Sequence, residues 1–284
     1  MAIAKCDVPP TASGSVRPGG LNEQEGPEMG SVVPPVRLAA ATPLTQRLAR
    51  YVPLSPTEIL LLMELQSGSR LVRRGREIIA EGSACRTFFI VTAGVLIRYR
   101  VLRDGRRQVI SVVLPGDIAG VPGCLFENAL YSVRTLTDAL VSPVPFSRMM
   151  GLFHTHPQLA AKICWSFSHE AAIYAEHLIT IARRSAFERV AHFLLELLTR
   201  LQAVDLADER SFRLPLTQEL IADALGLSIP YVNRVLRELR DDDLVCIKDK
   251  VIVIKDVEAL ATLVDFERNY LKPLSIVELL NEAA

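Results

Sequence analysis

TQELIADALGLSIPYVNRVLR, residues 217–237, is the stretch of sequence that decides how the C-terminal part of this chain folds. Thr217 can cap a first helix by accepting from a free backbone N–H, and Gly226 can take the left-handed conformation that ends it. Ser228 can cap a second helix, and Pro230 is tolerated in its first turn because the missing N–H has no helical partner there. The spacing therefore predicts two short helices joined by a tight turn, a helix-turn-helix.

The second of these helices has a polar and basic outer face. Val232, Val235 and Leu236 recur at the spacing of a buried stripe, which leaves the opposite face free to enter a DNA major groove. The residues expected wholly or partly on that face are Ile229, Tyr231, Asn233, Arg234 and Arg237. A helical hairpin in a protein core is the alternative. The small Ala222 at the crossing, the turn glycine, the caps and the basic face together favour DNA binding.

The segment after the second helix supports this interpretation. LVCI at residues 244–247 and VIVI at residues 251–254 predict two β-strands around a charged turn, which is a wing. A winged helix-turn-helix binds DNA. We expect Thr217, Lys248 and Lys250 to contact the DNA backbone, which positions a protein without specifying bases.

Composition limits the remaining possibilities. The 284 residues have room for two domains and a tail, and no apolar run is long enough to span a membrane. The start, MAIAKCDVPP, lacks the apolar core of a signal peptide, and the scattered, odd number of cysteines favours a reducing cytoplasm. The 32 basic and 32 acidic residues give zero net charge, so attraction to DNA must come from a local basic face. The five cysteines include no CxxC pair, and we expect no metal site.

The chain falls into five segments, and the predicted fold class is α+β. Residues 1–43 are rich in Pro, Gly, Ser and Glu without periodicity, which predicts a disordered tail. Residues 44–157 begin with a helical pattern and continue as short apolar strands separated by glycines, the last being YSVRTLTDALVSPVPF at 131–146. This pattern predicts a small antiparallel jelly roll. A long helix is expected over 158–184, the winged helix domain over 185–270 and a short tail over 271–284.

The predicted long helix carries a heptad pattern. Its apolar residues recur at alternating intervals of four and three, along a helix of about 40 Å. Such a helix cannot bury this seam against a small barrel over its whole length, so we expect a partner helix to cover it; packing on its own domain is the alternative. A homodimer suits DNA reading, because two-fold symmetric proteins read palindromes. The predicted dimer-interface residues are Cys164, Phe167, Ala171, Tyr174, Leu178 and Ile181.

A jelly roll, a long helix and a winged helix, in this order, resemble the Crp/Fnr family of bacterial transcription regulators. The further markers, within residues 44–256, are Glu81-Gly82, Phe89-Ile-Val with Gly94, Leu114-Pro-Gly-Asp117 and Gly120. The resemblance implies a regulator, not an enzyme, that binds double-stranded DNA as a homodimer and contacts RNA polymerase if it is an activator. A similar barrel controlling an enzyme or a channel is the rival, but no phosphate loop, catalytic triad or membrane segment is visible in the sequence.

The ligand motif of the family is altered in this chain. Members that bind cyclic AMP place a Gly-Glu pair and an Arg-Ser pair around the cyclic phosphate. Here Gly120 is followed by Val121, and Ser132 is preceded by Tyr131, so both charged groups are missing. Arg134 comes two positions late and shares the strand face of Ser132. These five residues are the candidate effector site, but we do not expect cyclic AMP to bind in the familiar way.

Two other cofactors of the family are not expected either. Oxygen-sensing members hold an iron–sulfur cluster through closely spaced N-terminal cysteines, whereas Cys6 stands alone here. The isolated histidines do not indicate haem. A thiol switch at Cys85, Cys124 or Cys164 stays open, although burial is the commoner role of an isolated cysteine. The cofactor is thus unknown, and two alternatives stay open: a barrel that responds to an unidentified ligand or redox signal, and a constitutive, ligand-free regulator.

The resemblance also assigns roles on the second helix. Arg234 matches the family arginine that reaches a guanine edge, where arginine can bond O6 and N7 together. Ser228 matches a position near the phosphate or the helix start. Ile229 and Pro230 stand where relatives place Arg or Val and then Glu. The acceptor for cytosine N4 is therefore missing, and we expect the half-site to differ, with Tyr231 and Asn233 in compensating roles.

Overall fold

The computed structural model describes residues 42–121 and 125–271. The predicted tails, residues 1–43 and 271–284, lie outside the described residues except at their inner ends, and so do Cys6 and Cys124. The described chain begins with helices α1 (Pro43–Tyr51) and α2 (Pro56–Gln66). The hydroxyl of Ser55 accepts from the N–H of Glu58, and the Glu58 carboxylate accepts from the N–H of Ser55, a capping box that fixes the start of α2.

Eight strands then form the predicted antiparallel jelly roll. They are β1 (Arg70–Val72), β2 (Glu77–Ile79), β3 (Thr87–Ala93), β4 (Leu96–Val101), β5 (Arg107–Val113), β6 (Ile118–Ala119), β7 (Ser132–Thr135) and β8 (Ala139–Pro145). They pair in two four-stranded sheets with the orders β1-β8-β3-β6 and β2-β7-β4-β5. Residues 131–146, predicted as one strand segment, are two strands in different sheets, because the chain changes sheet between Thr135 and Ala139.

Two helices lead out of the barrel. Helix α3 (Phe146–Thr155) precedes α4 (Pro157–Arg183), which has 27 residues and is therefore about 40 Å long. Proline stands in the first turn of α4, where the missing N–H costs no hydrogen bond. No helix in the described part of the chain is long and apolar enough to cross a membrane.

The C-terminal elements form the predicted winged helix-turn-helix. They are α5 (Ala186–Gln202), β9 (Ser211–Arg213), α6 (Gln218–Leu225), α7 (Ile229–Asp241), β10 (Val245–Lys248), β11 (Val251–Ile254) and α8 (Val257–Leu263), followed by a 3-10 turn at Asn269–Leu271. The wing has three strands in the order β10-β11-β9, so β9 adds a strand that the sequence did not reveal.

The barrel and the winged helix share one apolar core. Ile97 of β4 and Val109 of β5 belong to the same buried cluster as Leu194 of α5 and Leu220 of α6. Ile173 of α4 is part of it as well. Within one chain, the winged helix is therefore packed directly on the barrel and the long helix.

Candidate nucleic-acid interface

The turn between α6 and α7 is built by the residues that the sequence singled out. The Thr217 hydroxyl accepts from the N–H of Leu220 at 3.1 Å, and Gly226 ends α6 with a φ of +63°. Ser228 occupies the N-cap position of α7, but its side chain makes no capping hydrogen bond. Its exposed hydroxyl therefore stays available beside the free N–H groups of the α7 N-terminus.

The outer face of α7 is exposed where the sequence predicts it. Val232, Val235, Leu236 and Leu239 are buried. Ile229, Tyr231, Arg234 and Arg237 are exposed, and Asn233 is half-buried. The helix thus presents two guanidinium groups and one carboxamide on the side turned away from its own domain.

Arg234 and Tyr231 interact on this outer face. The Arg234 guanidinium lies over the Tyr231 ring, with its central carbon 4.0 Å from the ring centroid. A cation over an aromatic face is attracted by the ring quadrupole, and stacking leaves the N–H groups in the guanidinium plane free to donate. The spacing of three residues on a helix was the sequence signal for this contact.

The wing is a tight hairpin with basic residues at its tip. Asp249 and Lys250 have φ angles of +52° and +66°, as a two-residue hairpin turn requires. Arg213 of β9 donates to the carbonyl oxygen of Asp249 at 3.0 Å, which ties the tip to the third strand. Lys248 and Lys250 are exposed and carry the positive charge of the wing.

Helix α6 is held against the barrel by charged contacts. Arg107 of β5 donates through Nε to the Asp223 carboxylate at 2.7 Å, and its Nη2 lies 3.2 Å from a Glu219 carboxylate oxygen. The Gln108 amide donates to the carbonyl oxygen of Ala224 at 3.2 Å. The orientation of the helix-turn-helix is therefore set partly by the barrel.

A buried ionic cluster joins the barrel to α1 and α5. Asp117, after β5, accepts from Arg47 of α1 and, at 2.7 Å, from Arg200 of α5. Burial by itself would raise the pKa of Asp117, but the two guanidinium groups hold it below its usual range. Arg200 also pairs with Glu196 at 3.1 Å.

The cluster continues into α4 through histidines. His177 lies 2.8 Å from the Glu196 carboxylate. Burial acts to raise the pKa of Glu196, but the charges of His177 and Arg200 outweigh burial and lower this pKa to about 2. His169 accepts at Nδ1 from Arg47 at 2.8 Å. Burial, with Arg47 adding to it, lowers the pKa of His169 to about 3, so this ring is neutral.

The candidate effector residues are held by contacts within the barrel. The Tyr131 hydroxyl donates to the carbonyl oxygen of Val121, and the Ser132 hydroxyl accepts from the N–H of Glu81 at 3.0 Å. Gly120 has a φ of +106°, and an added Cβ would lie 3.1 Å from the Phe88 Cα. Arg134 is exposed on the outer sheet face and donates to the carbonyl oxygen of Gly75 at 3.0 Å, so it lies away from the buried Tyr131.

Helix α4 has two apolar faces. One packs inside the chain through Leu159, Ile163 and Ile173. On the other, Ala171, Ala175, Leu178 and Ala182 are exposed at heptad spacing, and we call these four residues the outer stripe. Of the other predicted interface residues, Cys164, Phe167 and Ile181 are half-buried. Tyr174 is turned partly inward, and its hydroxyl is buried without a hydrogen-bond partner among the described residues.

Neither a metal cluster nor a reactive free thiol at Cys85 or Cys164 is found among the described residues. No three His, Cys, Asp or Glu side chains within residues 42–121 and 125–271 are grouped to hold a metal ion. Cys85 is buried and donates from its Sγ to the carbonyl oxygen of Thr87 at 3.1 Å. Burial raises the pKa of the Cys164 thiol, which disfavours the reactive thiolate at neutral pH.

Comparison with known proteins agrees with this architecture. Residues 69–156 match the cyclic nucleotide-binding domain, and residues 188–263 match the Crp-like helix-turn-helix domain. The nitrogen fixation regulation protein FixK of Rhizobium meliloti (strain 1021) is 34% identical over 201 residues, which cover 69% of this chain and 89% of that protein. FixK of Bradyrhizobium diazoefficiens is 33% identical, over 70% of this chain and 86% of that protein.

A solved structure matches over the same part of the chain. The structure of FixK2 from Bradyrhizobium japonicum superposes with a TM-score of 0.62 at 28% sequence identity and covers 69% of this chain and 96% of that one. Proteins of this kind are dimeric, DNA-binding transcription regulators rather than enzymes. The chain, with its cyclic nucleotide-binding fold and its winged helix-turn-helix, belongs to the Crp/Fnr family of bacterial transcription regulators.

Proposed function

We propose that this regulator reads an inverted repeat in double-stranded DNA as a homodimer, with α7 of each subunit in a major groove. The observation that carries the proposal is the outer face of α7. Arg234 and Arg237 are exposed beside Tyr231 and Asn233, while the opposite side of the helix is buried in its own domain. A helix that is packed on one side and offers forked donors on the other suits base recognition.

The contacts divide into those that specify bases and those that position the protein. Arg234 is assigned to a guanine edge, with Asn233, Tyr231 and Ile229 on neighbouring bases. Thr217 and Ser228, at two helix starts, and Arg237, Lys248 and Lys250 are assigned to phosphates. Because the whole chain has zero net charge, these groups supply the local attraction.

The outer stripe of α4 supports the dimer. Leu178 is 70% exposed and the neighbouring Ile179 is 49% exposed, on a helix whose opposite side already packs inside the chain. A second α4 would cover these side chains in a two-fold arrangement. Cys164, Phe167 and Ile181 would lie at the margins of that contact.

Two finer assignments follow from family membership. We place the protein in the cytoplasm, where its DNA is, and we assign a contact with RNA polymerase if it activates transcription. The signal that reaches the barrel is either an unidentified ligand or redox change, or none at all.

Selection of bound duplexes from a random DNA pool tests the proposal, with purified full-length protein at a fixed salt concentration. We expect enrichment of an inverted repeat whose half-sites are centred about one helical turn, roughly 10 base pairs, apart. A single unrepeated site would contradict the dimeric reading. The absence of any enriched sequence, with and without the small-molecule fraction of a cell extract, would contradict the assignment to DNA.

A further inference from the structure

Arg98 of β4 is a fully buried arginine, with its side chain 0% exposed. Its Nη1 donates to a Glu170 carboxylate oxygen of α4 at 2.5 Å. Longer contacts join Nη2 to the carbonyl oxygen of Ile118 at 3.4 Å and Nη1 to the Ser111 hydroxyl at 3.5 Å. The guanidinium lies over the Tyr131 ring, 4.8 Å from its centroid. An arginine of the barrel thus makes its strongest contact with the long helix.

The guanidinium fills the junction between the barrel and α4. Tyr131, a candidate effector residue, covers it from the barrel, and the ring of Tyr174 lies 5.6 Å from it on the α4 side. The cavity beside it, lined by Ser111, Glu170 and Tyr174, measures about 10 Å³. That volume holds about one water molecule.

Stability alone does not explain this buried ion pair. Removing a guanidinium and a carboxylate from water usually costs as much as their attraction returns, so apolar side chains of similar size would hold the junction as well. Burial raises the pKa of Glu170 even though Arg98 opposes the shift, which reflects that cost. What the pair supplies in addition is direction, because the guanidinium divides its donors between the Glu170 carboxylate of α4 and the Ile118 carbonyl oxygen of the barrel and so ties α4 to one position.

The position of α4 is transmitted to the winged helix. Beyond Glu170, His177 of α4 lies 2.8 Å from the Glu196 carboxylate of α5. The outer stripe lies on the same stretch of α4. A shift of α4 on the barrel would therefore move both the proposed dimer contact and the recognition domain.

We propose that Arg98 is a built-in ligand of the barrel: its guanidinium fills the junction where an effector would bind and, through Glu170, holds α4 in the DNA-binding arrangement without any small molecule. Arg98 acts through α4 and does not touch DNA, so it is a positioning residue. The inference rests on the proposed DNA-binding function and selects its effector-independent form.

Chemical rescue tests this role. DNA affinity is measured for purified wild-type protein and for Arg98→Ala, each with and without millimolar guanidinium or methylguanidinium chloride. Wild-type protein should bind with the same affinity under all conditions. Arg98→Ala should lose affinity by about tenfold or more, within the usual range for coupling between sites, and guanidinium should restore it by entering the vacated space beside Glu170. Sodium chloride at the same ionic strength should not restore it.

Two further variants complete the experiment. Arg100→Ala removes an exposed arginine two positions along β4 and should bind DNA as the wild type does. Arg98→Met keeps the space filled, so it is expected to fold even if Arg98→Ala does not. It should lose DNA affinity, and guanidinium should not restore that affinity. The inference is overturned if folded Arg98→Met or folded Arg98→Ala binds DNA with wild-type affinity. It is also overturned if folded Arg98→Ala loses DNA affinity and guanidinium does not restore it. Wild-type protein that selects no DNA sequence contradicts the proposed function itself.

Discussion

Asp117 of the barrel and Arg200 of α5 form an ion pair of 2.7 Å that joins two parts of the chain 83 residues apart. Arg47 of α1 contacts the same carboxylate, so one buried acid is shared by two buried arginines. Asp117→Asn should destabilise the protein by about 3–5 kcal/mol, because it leaves the buried Arg47 without a counter-charge and Arg200 with Glu196 alone. Urea denaturation measures this, with the exposed Asp104→Asn as the control. A wild-type unfolding midpoint for Asp117→Asn would refute the structural role of the pair.

Two buried histidines should make the protein less stable in mild acid. Burial, strengthened by Arg47 for His169 and by Arg184 for His192, lowers the pKa values to about 3 and about 4 from the ordinary 6.5. These histidines therefore take up protons at a higher pH in the unfolded chain than in the folded chain. The stability of the fold is complete above about pH 6.5 and decreases as the pH falls towards the folded-state pKa values. Between pH 7 and pH 5 each histidine should cost about 2 kcal/mol.

His177 opposes this trend. Burial acts to lower its pKa, but the Glu196 carboxylate outweighs burial, so the pKa is raised. Its contribution is complete below about pH 6.5 and is lost as the pH rises through the folded pKa. Urea denaturation of wild type and His169→Gln at pH 7 and pH 5 separates the effects. His169→Gln should show the smaller loss between the two pH values, and equal losses in both proteins would contradict the burial of a neutral His169.

Tyr231 should sharpen the base preference of Arg234 by holding its guanidinium. Tyr231→Phe keeps the aromatic face and should retain the preference, whereas Tyr231→Ala should weaken it by about 0.5–1 kcal/mol. The measurement is competition binding with the four bases placed in turn at the position that Arg234 reads. Equal preferences in the Phe and Ala variants would show that the stacking seen at 4.0 Å has no part in recognition.

The outer stripe of α4 should hold the dimer together. Leu178→Glu places a charge on a side chain that is 70% exposed in the single chain, so the subunit should stay folded while the dimer dissociates. Sedimentation equilibrium measures the mass, and circular dichroism checks the fold. Leu60→Glu, at a position of α2 that is 66% exposed, is the matched control and should stay dimeric. If the Leu178→Glu protein is still dimeric, the dimer interface does not lie on the outer stripe.

Local patterns were enough to predict the recognition elements. The cap at Thr217, the left-handed Gly226 and the alternating strands of the wing depend on neighbours a few residues away, and each such signal is present in the sequence. The long helix follows from its own periodicity in the same way. The family and the fold class could therefore be predicted without coordinates.

The buried charges could not be predicted in this way. Arg98 lies in the strand LIRYRV, where an arginine ordinarily faces water, and nothing near it in sequence indicates Glu170, which is 72 residues away. The Asp117–Arg200 pair is likewise a product of how the domains pack. The single segment predicted over residues 131–146 failed for a related reason, because only pairing partners from distant strands divide it between two sheets.

The central claim is that α7 reads bases through Arg234, and the direct test is the affinity of Arg234→Ala for every single-base variant of the selected site. The account predicts lost discrimination, about 1–3 kcal/mol, at one position in each half-site, with the other positions unchanged. Arg237→Ala, assigned to phosphate, should instead weaken binding uniformly and reduce the salt dependence by about one unit of slope. An unchanged base preference in Arg234→Ala, or the same uniform loss in both variants, would contradict the account.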